Sequence, residues 1–115
     1  MAITKKKVEK WAQKKNTGKL LKAITVEDAE IRVSVIKALG ETKDENAMYT
    51  LINLLKDPDA VIRAAAVDAL GVMANGRSLE FVRQLWNIET DESVREKAKS
   101  AISNIKANMA NEERH

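Results

Sequence analysis

A pattern that occurs three times constrains this chain more than any other feature of its sequence. Asp28, Asp59 and Asp91 each open the motif Asp-x-x-(Ile/Val)-Arg, and an Ala-(Leu/Ile) pair follows six residues after each arginine. The copies begin 31 and 32 residues apart. A near-constant period of this length is typical of proteins in which each repeat stacks on the next. The 115 residues therefore predict one domain built from three stacked repeats.

Apolar residues within each copy recur every three or four positions, which indicates helices and not strands. In the second copy, Leu51 and Leu55 mark a first helix, and Ile62 and Ala66 mark a second one. Asp57-Pro58 lies between them and predicts an N-cap followed by the first helical residue. The predicted segments are a lone amphipathic helix over 4–15, repeats over 17–41, 44–73 and 77–106, and a frayed tail over 107–115.

The composition excludes several classes of protein. Aromatic residues make up 3% of the chain, with four glycines and one proline, which is too little strand and turn chemistry for a β-rich fold. There is no cysteine and His115 is the one histidine, so disulfides, thiolate metal sites and a Ser-His-Asp triad are excluded. No apolar run is typical of a signal peptide or a membrane span. We therefore expect an all-α, cytoplasmic protein that is not an enzyme and uses no cofactor or metal.

The repeat motif is similar to a known family. The second copy carries it most fully, as Asp59, Ile62, Arg63, Ala65, Ala66, Ala69, Leu70 and Gly71. These residues resemble the HEAT-like repeats named for phycobilisome lyases, over roughly residues 17–105. The resemblance implies a right-handed α-α superhelix, a short α-solenoid in which the second helices line a concave face. It also implies a binding scaffold more often than an enzyme.

Two activities of related proteins are not carried over to this chain. Deoxyhypusine hydroxylase, a HEAT-like iron enzyme, uses His-Glu pairs on its helices, and this sequence contains none. The resemblance to the lyases lies in the repeat and includes no catalytic residue.

The arginine of each copy follows its aspartate by four residues, as in Asp28 and Arg32. An i,i+4 pair on a helix contributes about 0.2–0.5 kcal/mol. One interpretation makes the three arginines a ladder for a ligand. The other makes each arginine a tie between its repeat and a neighbouring repeat or loop. We favour the second, because each arginine lies beside a core position.

The two ends of the stack are expected to be closed differently. At one equivalent position the repeats read Ile36, Val67 and Lys99, which predicts that Lys99 faces water and that the third repeat closes the stack. At the other end, the helix over 4–15 is predicted to be a cap with Trp11 buried against the first repeat. The alternative, a helix lying on a membrane surface, is disfavoured by its narrow apolar side.

The second helices also predict a face for a partner. Its middle is small and apolar, which suits a helix or an extended peptide of a partner protein. An equally weighted alternative is that Ala64 and Ala65 are small only to let adjacent helices approach. The candidate residues are Glu30, Val33, Ser34, Lys37 and Glu41, then Val61, Ala64, Ala65, Asp68 and Val72, then Ser93, Glu96, Lys97, Ser100 and Asn104.

The positive charge is concentrated at the N-terminus. Residues 1–22 hold eight lysines and one glutamate, while the remaining chain holds 12 basic and 16 acidic residues. A basic segment of this kind attracts nucleic acid or an anionic surface, which is the alternative function, although a solvated helix face has the same composition. The candidate basic patch is Lys5, Lys6, Lys7, Lys10, Lys14 and Lys15.

Overall fold

Aspartates begin the second helix of every repeat, as the recurring motif predicts. The Asp28 carboxylate accepts a hydrogen bond from the Ile31 backbone N–H at 3.1 Å. Asp59 does the same for Val61 at 2.9 Å, and Asp91 for Val94 at 3.1 Å. Each bond satisfies a backbone donor that would otherwise have no partner in the first turn of its helix.

The computed structural model describes residues 2–113, so the predicted tail residues 114 and 115 lie outside the described part of the chain. No strand occurs within residues 2–113. The helices are α1 Lys5–Gln13, α2 Thr17–Lys22, α3 Ala29–Thr42, α4 Glu45–Leu54, α5 Ala60–Met73, α6 Leu79–Ile88 and α7 Glu92–Glu113, with short 3-10 turns at Ala23–Thr25 and Gly76–Ser78.

The helices form two layers. In the inner layer, α1, α3, α5 and α7 pack side by side in that order. In the outer layer, α2, α4 and α6 each pack on the inner helix that follows them. The chain extends over 44 × 36 × 17 Å, a slab two helices thick with fully buried leucines such as Leu39 and Leu70 between the layers. The predicted all-α short solenoid is confirmed.

The inner helices approach each other most closely at glycines. A Cβ on Gly40 of α3 would lie 2.8 Å from the Ala69 Cβ of α5, closer than real Cβ atoms come. A Cβ on Gly71 of α5 would lie 3.1 Å from the Ala101 Cβ of α7. The equivalent residue of α7 is Ser103, which is exposed because no further helix packs there within residues 2–113.

Helix α5 begins later than the sequence predicts. Its N-cap is Asp59, so Pro58 precedes the helix and does not form its first turn. Asp57 was predicted to be the cap, but its carboxylate instead accepts hydrogen bonds from the Asp59 backbone N–H at 2.9 Å and from Arg32 at 3.3 Å. Asp59 is the better cap because its own oxygen reaches the Val61 N–H.

Helix α1 covers the side of the stack that precedes α3. Val8, at 2% exposure, is the residue that it buries. Trp11 is partly buried and packs against the core, in the direction of the cap prediction, and the Lys19 ammonium group lies 5.9 Å from the centre of its ring.

Helix α7 continues through the region where the sequence predicts a frayed tail from Ala107. The Asn108 side chain donates a hydrogen bond to the Ala74 carbonyl at 2.9 Å, and Met109 packs against the core. Helices α3 and α5 end at residues in the left-handed conformation, Lys43 and Ala74. No residue within α7 adopts that conformation, and these contacts hold its last turns in place.

Candidate partner-binding face

The exposed side of the inner layer contains two adjoining hollows, of about 350 and 440 Å³. Both are lined by Val33 of α3 and by Ala65 and Asp68 of α5. Val61 and Val72, the apolar residues toward the two ends of this side of α5, are 59% and 55% exposed. We call this surface the inner face.

The sequence-predicted face residues fall into three sets. Residues lining the two hollows are Val33, Lys37, Glu41, Val61, Ala64, Ala65, Asp68, Val72, Ser93, Lys97 and Asn104. Ser34 lines a third hollow between α1 and α3, which Lys37 and Glu41 share. Glu30, Glu96 and Ser100 are exposed and line none of these hollows.

Charges on the inner face are partly paired. The Lys97 ammonium of α7 lies 2.7 Å from the Asp68 carboxylate of α5, across the groove between the two helices. Lys5 of α1 lies 3.3 Å from Glu30 of α3. Exposed pairs of this kind contribute at most about 1 kcal/mol to stability. A partner can therefore break these ion pairs at a low cost in free energy.

Ala64 and Ala65 are half-buried. Both pack against the core and both also line a hollow, so the two interpretations of their small size stay open.

The repeated arginines join neighbouring repeats. Arg32 donates to the Ile24 carbonyl of its own repeat at 2.8 Å and lies 3.3 Å from the Asp57 carboxylate of the next. Arg63 binds the carboxylate of Glu89 through two nitrogens, at 2.6 and 3.2 Å. The arginines do not pair with the aspartates four residues before them within the described residues. Those aspartates cap the helices instead.

Glu89 is the most buried acidic side chain of the described residues, at 7% exposure. Hydrogen bonds from the Arg63 guanidinium hold the pKa of Glu89 below its ordinary value, and the backbone N–H groups of Asp91 and Thr90 act in the same direction. Burial alone would raise this pKa. Glu89 is therefore ionised and fixes the loop that precedes α7.

The acidic partners of the arginines were missed by the sequence analysis, although a signal exists. An acidic residue precedes the capping aspartate by two positions in the second and third repeats, as Asp57 before Asp59 and Glu89 before Asp91. In the first repeat this position is Val26, and no arginine precedes it in an earlier repeat. The acid thus belongs to the junction between two repeats.

The candidate basic patch is divided among different surroundings. Lys6, Lys10 and Lys14 are four residues apart, exposed, and on the side of α1 opposite Val8. The other three lysines each have different surroundings. Lys5 pairs with Glu30, Lys7 donates to the Ala2 carbonyl at 3.1 Å, and Lys15 is exposed in the left-handed conformation.

Two further searches of residues 2–113 bear on function. No group of three or more histidine, cysteine or acidic side chains is arranged to hold a metal ion. Among the helices described, none combines the length and the apolar character needed to cross a membrane.

Several solved structures are similar to the chain, and one of them contains RNA. The chain is similar to epoxyqueuosine reductase with a tRNA-Tyr epoxyqueuosine-modified tRNA stem loop, at 31% identity and a TM-score of 0.63. The similarity covers 66% of this chain and 20% of that chain, so this protein corresponds to a small part of that structure. None of the curated proteins matches the chain.

The family profile for HEAT repeats matches residues 17–103. This range contains α2 to α6 and the first half of α7, and so includes every repeated arginine and both close glycines. The profile therefore covers most of the chain, and the chain belongs to the HEAT-repeat family.

Proposed function

We propose that this protein is a scaffold without catalytic activity whose inner face binds a helix or an extended segment of a partner protein. One observation carries the proposal. Two hollows that share Val33, Ala65 and Asp68 adjoin on one side of the inner layer, flanked by the exposed Val61 and Val72. A short apolar side chain of a partner fits each hollow. Location in the cytoplasm and a place in the phycobilisome-lyase branch of the family remain predictions.

The charges around the hollows indicate which partner segment fits. Glu41 and Asp68 line the larger hollow, and Lys37 is the basic residue beside them. Glu96 is exposed on the same side of α7. A segment with small apolar anchors and basic flanking residues complements this arrangement. Asp68 is paired with Lys97, and a basic residue of the partner can take the place of that ammonium group beside the carboxylate.

The proposal is tested at two alanines of α5 that lie two positions apart. Ala64 is half-buried and lines a hollow, whereas Ala66 is fully buried in the core. A peptide that binds the chain is selected from a random display library, and its affinity is measured by fluorescence polarisation. Ala64→Arg should keep native circular dichroism and lose the peptide. Ala66→Arg should unfold or aggregate, since it buries a charge and overpacks the core, at about 3 kcal/mol or more.

The matched control is Ala110→Arg, which introduces the same side chain at an exposed position of α7 away from the inner face. It should bind the peptide as the parent chain does. Peptides that bind Ala64→Arg at full affinity would place the binding site elsewhere. Equal loss of fold in Ala64→Arg and Ala66→Arg would contradict the assignment of the helix face.

A second candidate function is binding of nucleic acid by α1. The exposed line of Lys6, Lys10 and Lys14 supports it, and so does the similarity to a structure that contains a tRNA stem loop. This function ranks second because the line lies opposite Val8 on α1, away from the hollows. The neighbouring Lys5 is engaged by Glu30.

A further inference from the structure

The arginine ties follow a rule that the last repeat leaves incomplete. Arg32 and Arg63 each bind carbonyls of their own repeat, and each also binds a carboxylate from the loop of the following repeat. Arg95 makes the first set of bonds, donating to the Trp86 carbonyl at 2.7 Å and to the Glu89 carbonyl at 3.4 Å. Within residues 2–113 it forms no ion pair. No carboxylate of residues 2–113 binds Arg95 in the way that Asp57 binds Arg32 and Glu89 binds Arg63.

Arg95 follows the acidic Asp91 and Glu92 at helical spacing and precedes a basic and apolar stretch of α7. Its guanidinium lies over the Trp86 ring, 5.0 Å from the ring centre. Lys99, Ile102 and Lys106 follow Arg95 at helical spacings of four, three and four, and so share its side of α7. This line is about 16 Å long, at 1.5 Å per residue.

A hollow of about 340 Å³ lies along this line between α6 and α7. It is lined by Arg83, Trp86, Asn87, Lys99, Ile102, Ser103 and Lys106, with no acidic residue among them. Arg83 pairs with the exposed Glu80 at 2.7 Å, while Lys99 and Lys106 have no ion pair within the described residues. We call this surface, together with Arg95, the basic end. It lies on a different side of the molecule from the inner face.

We propose that the basic end binds an acidic amphipathic helix of a partner protein. One carboxylate of that helix pairs with Arg95, and others face Lys99 and Lys106. Its apolar residues pack on Trp86 and Ile102. The position beside Arg95 favours a carboxylate because the two preceding arginines hold one there, through two nitrogens in the case of Arg63.

The test uses two synthetic peptides with 15N-labelled full-length protein. The probe is a 15-residue helix with glutamates spaced by four residues and leucines on one side, and its twin carries glutamine in place of every glutamate. We expect the acidic probe to shift amide resonances of α6 and α7 and to bind more tightly than the twin. Lys99→Glu should lower the affinity for the acidic probe roughly fivefold at low salt, because an exposed ion pair is lost and a like charge takes its place.

Lys10→Glu is the matched control, since it makes the same change of charge at an exposed lysine of α1. Lys10→Glu should leave the affinity for the acidic probe nearly unchanged. Arg95→Gln should lower that affinity as Lys99→Glu does. All variants should keep native circular dichroism. Equal weakening by Lys10→Glu would reduce the effect to net charge and overturn the proposal. The proposal would also be overturned by resonance shifts confined to the inner face, by equal affinity for the twin, or by no binding at millimolar peptide. Tighter binding of a 15-nucleotide RNA at the same end would overturn it as well.

Discussion

Gly40 shows how a single residue sets the distance between two repeats. A Cβ at this position would lie 2.9 Å from the Ala69 Cα and from its carbonyl oxygen, so the whole of α5 would have to move. Gly71 faces Ala101 with slightly more room. The stack thus tolerates a side chain least at the junction between α3 and α5.

We predict that Gly40→Ala lowers the free energy of unfolding by about 1–3 kcal/mol, because overpacking outweighs the gain in helix propensity. Gly18→Ala is the control. Its nearest neighbouring atom would be 3.8 Å away, so it should raise the free energy of unfolding by up to about 1 kcal/mol. Urea denaturation measures both, and a Gly40→Ala chain as stable as the parent would show that the junction can relax.

Glu89 makes stability depend on pH. Because its pKa is lower in the folded chain than in the unfolded one, its contribution is complete above the ordinary glutamate value of 4.5 and is lost as the pH falls through the folded value. Glu89→Gln should cost roughly 3 kcal/mol at neutral pH, because it leaves Arg63 half-paired in a largely buried site. The variant should also lose stability less steeply below pH 4.5 than the parent does.

The exposed carboxylate of Glu80 provides the comparison. It pairs with Arg83 on the surface, so Glu80→Gln should change the free energy of unfolding by less than about 1 kcal/mol. Thermal melts of both variants and of the parent, between about pH 3 and pH 7, distinguish the two carboxylates. This interval brackets the ordinary pKa values of aspartate and glutamate. Equal acid sensitivity of Glu89→Gln and the parent would assign the acid transition to other groups.

At the scale of elements, α1 has the position of an inner helix, but within residues 2–113 no outer helix precedes it in the chain. It packs on α3 and α2 and buries Val8, and so covers apolar surface that the first repeat would otherwise expose. Deleting residues 1–15 should lower the melting temperature and promote association through the uncovered side. Differential scanning calorimetry with sedimentation velocity measures both effects.

A milder pair of variants separates packing from chain length. Val8→Ala removes buried methyl groups and should cost about 1–3 kcal/mol, whereas Glu9→Ala on the exposed side should have little effect. If the shortened chain melts at the parent temperature and stays monomeric, α1 is not a cap.

At the scale of the whole molecule, the eight lysines of residues 1–22 oppose an acidic remainder. Any affinity for nucleic acid should therefore be weak and governed by salt, with each phosphate contact contributing about −0.9 to the slope of log K against log salt. Replacing Lys6, Lys10 and Lys14 by glutamine should reduce that slope, measured with a duplex and with an RNA stem loop.

The control removes the same charge from Lys22, Lys43 and Lys56, which are exposed outside α1 and outside the basic end. It should leave the slope nearly unchanged if α1 carries the contacts. Tight binding that persists through a several-fold rise in salt would reverse the order of the two proposed functions.

The sequence by itself determined the all-helical repeat and the outward position of Lys99, but it misplaced the cap of α5 at Asp57, where the structure has Asp59. These features follow from local rules, since helix periodicity, cap chemistry and the comparison of equivalent positions need no knowledge of which surfaces meet. The listing of residues for the inner face also came from periodicity, and the hollows contain most of them.

Only the tertiary structure decided which residues join the repeats. The bonds from Arg32 to Asp57 and from Arg63 to Glu89 connect residues 25 and 26 positions apart, so no helical period brings them together. The full length of α7 depends on contacts that Asn108 and Met109 make with the preceding turn. In each case the deciding free energy comes from surfaces that meet only when the helices stack, and a single helix contains no record of its neighbour's shape.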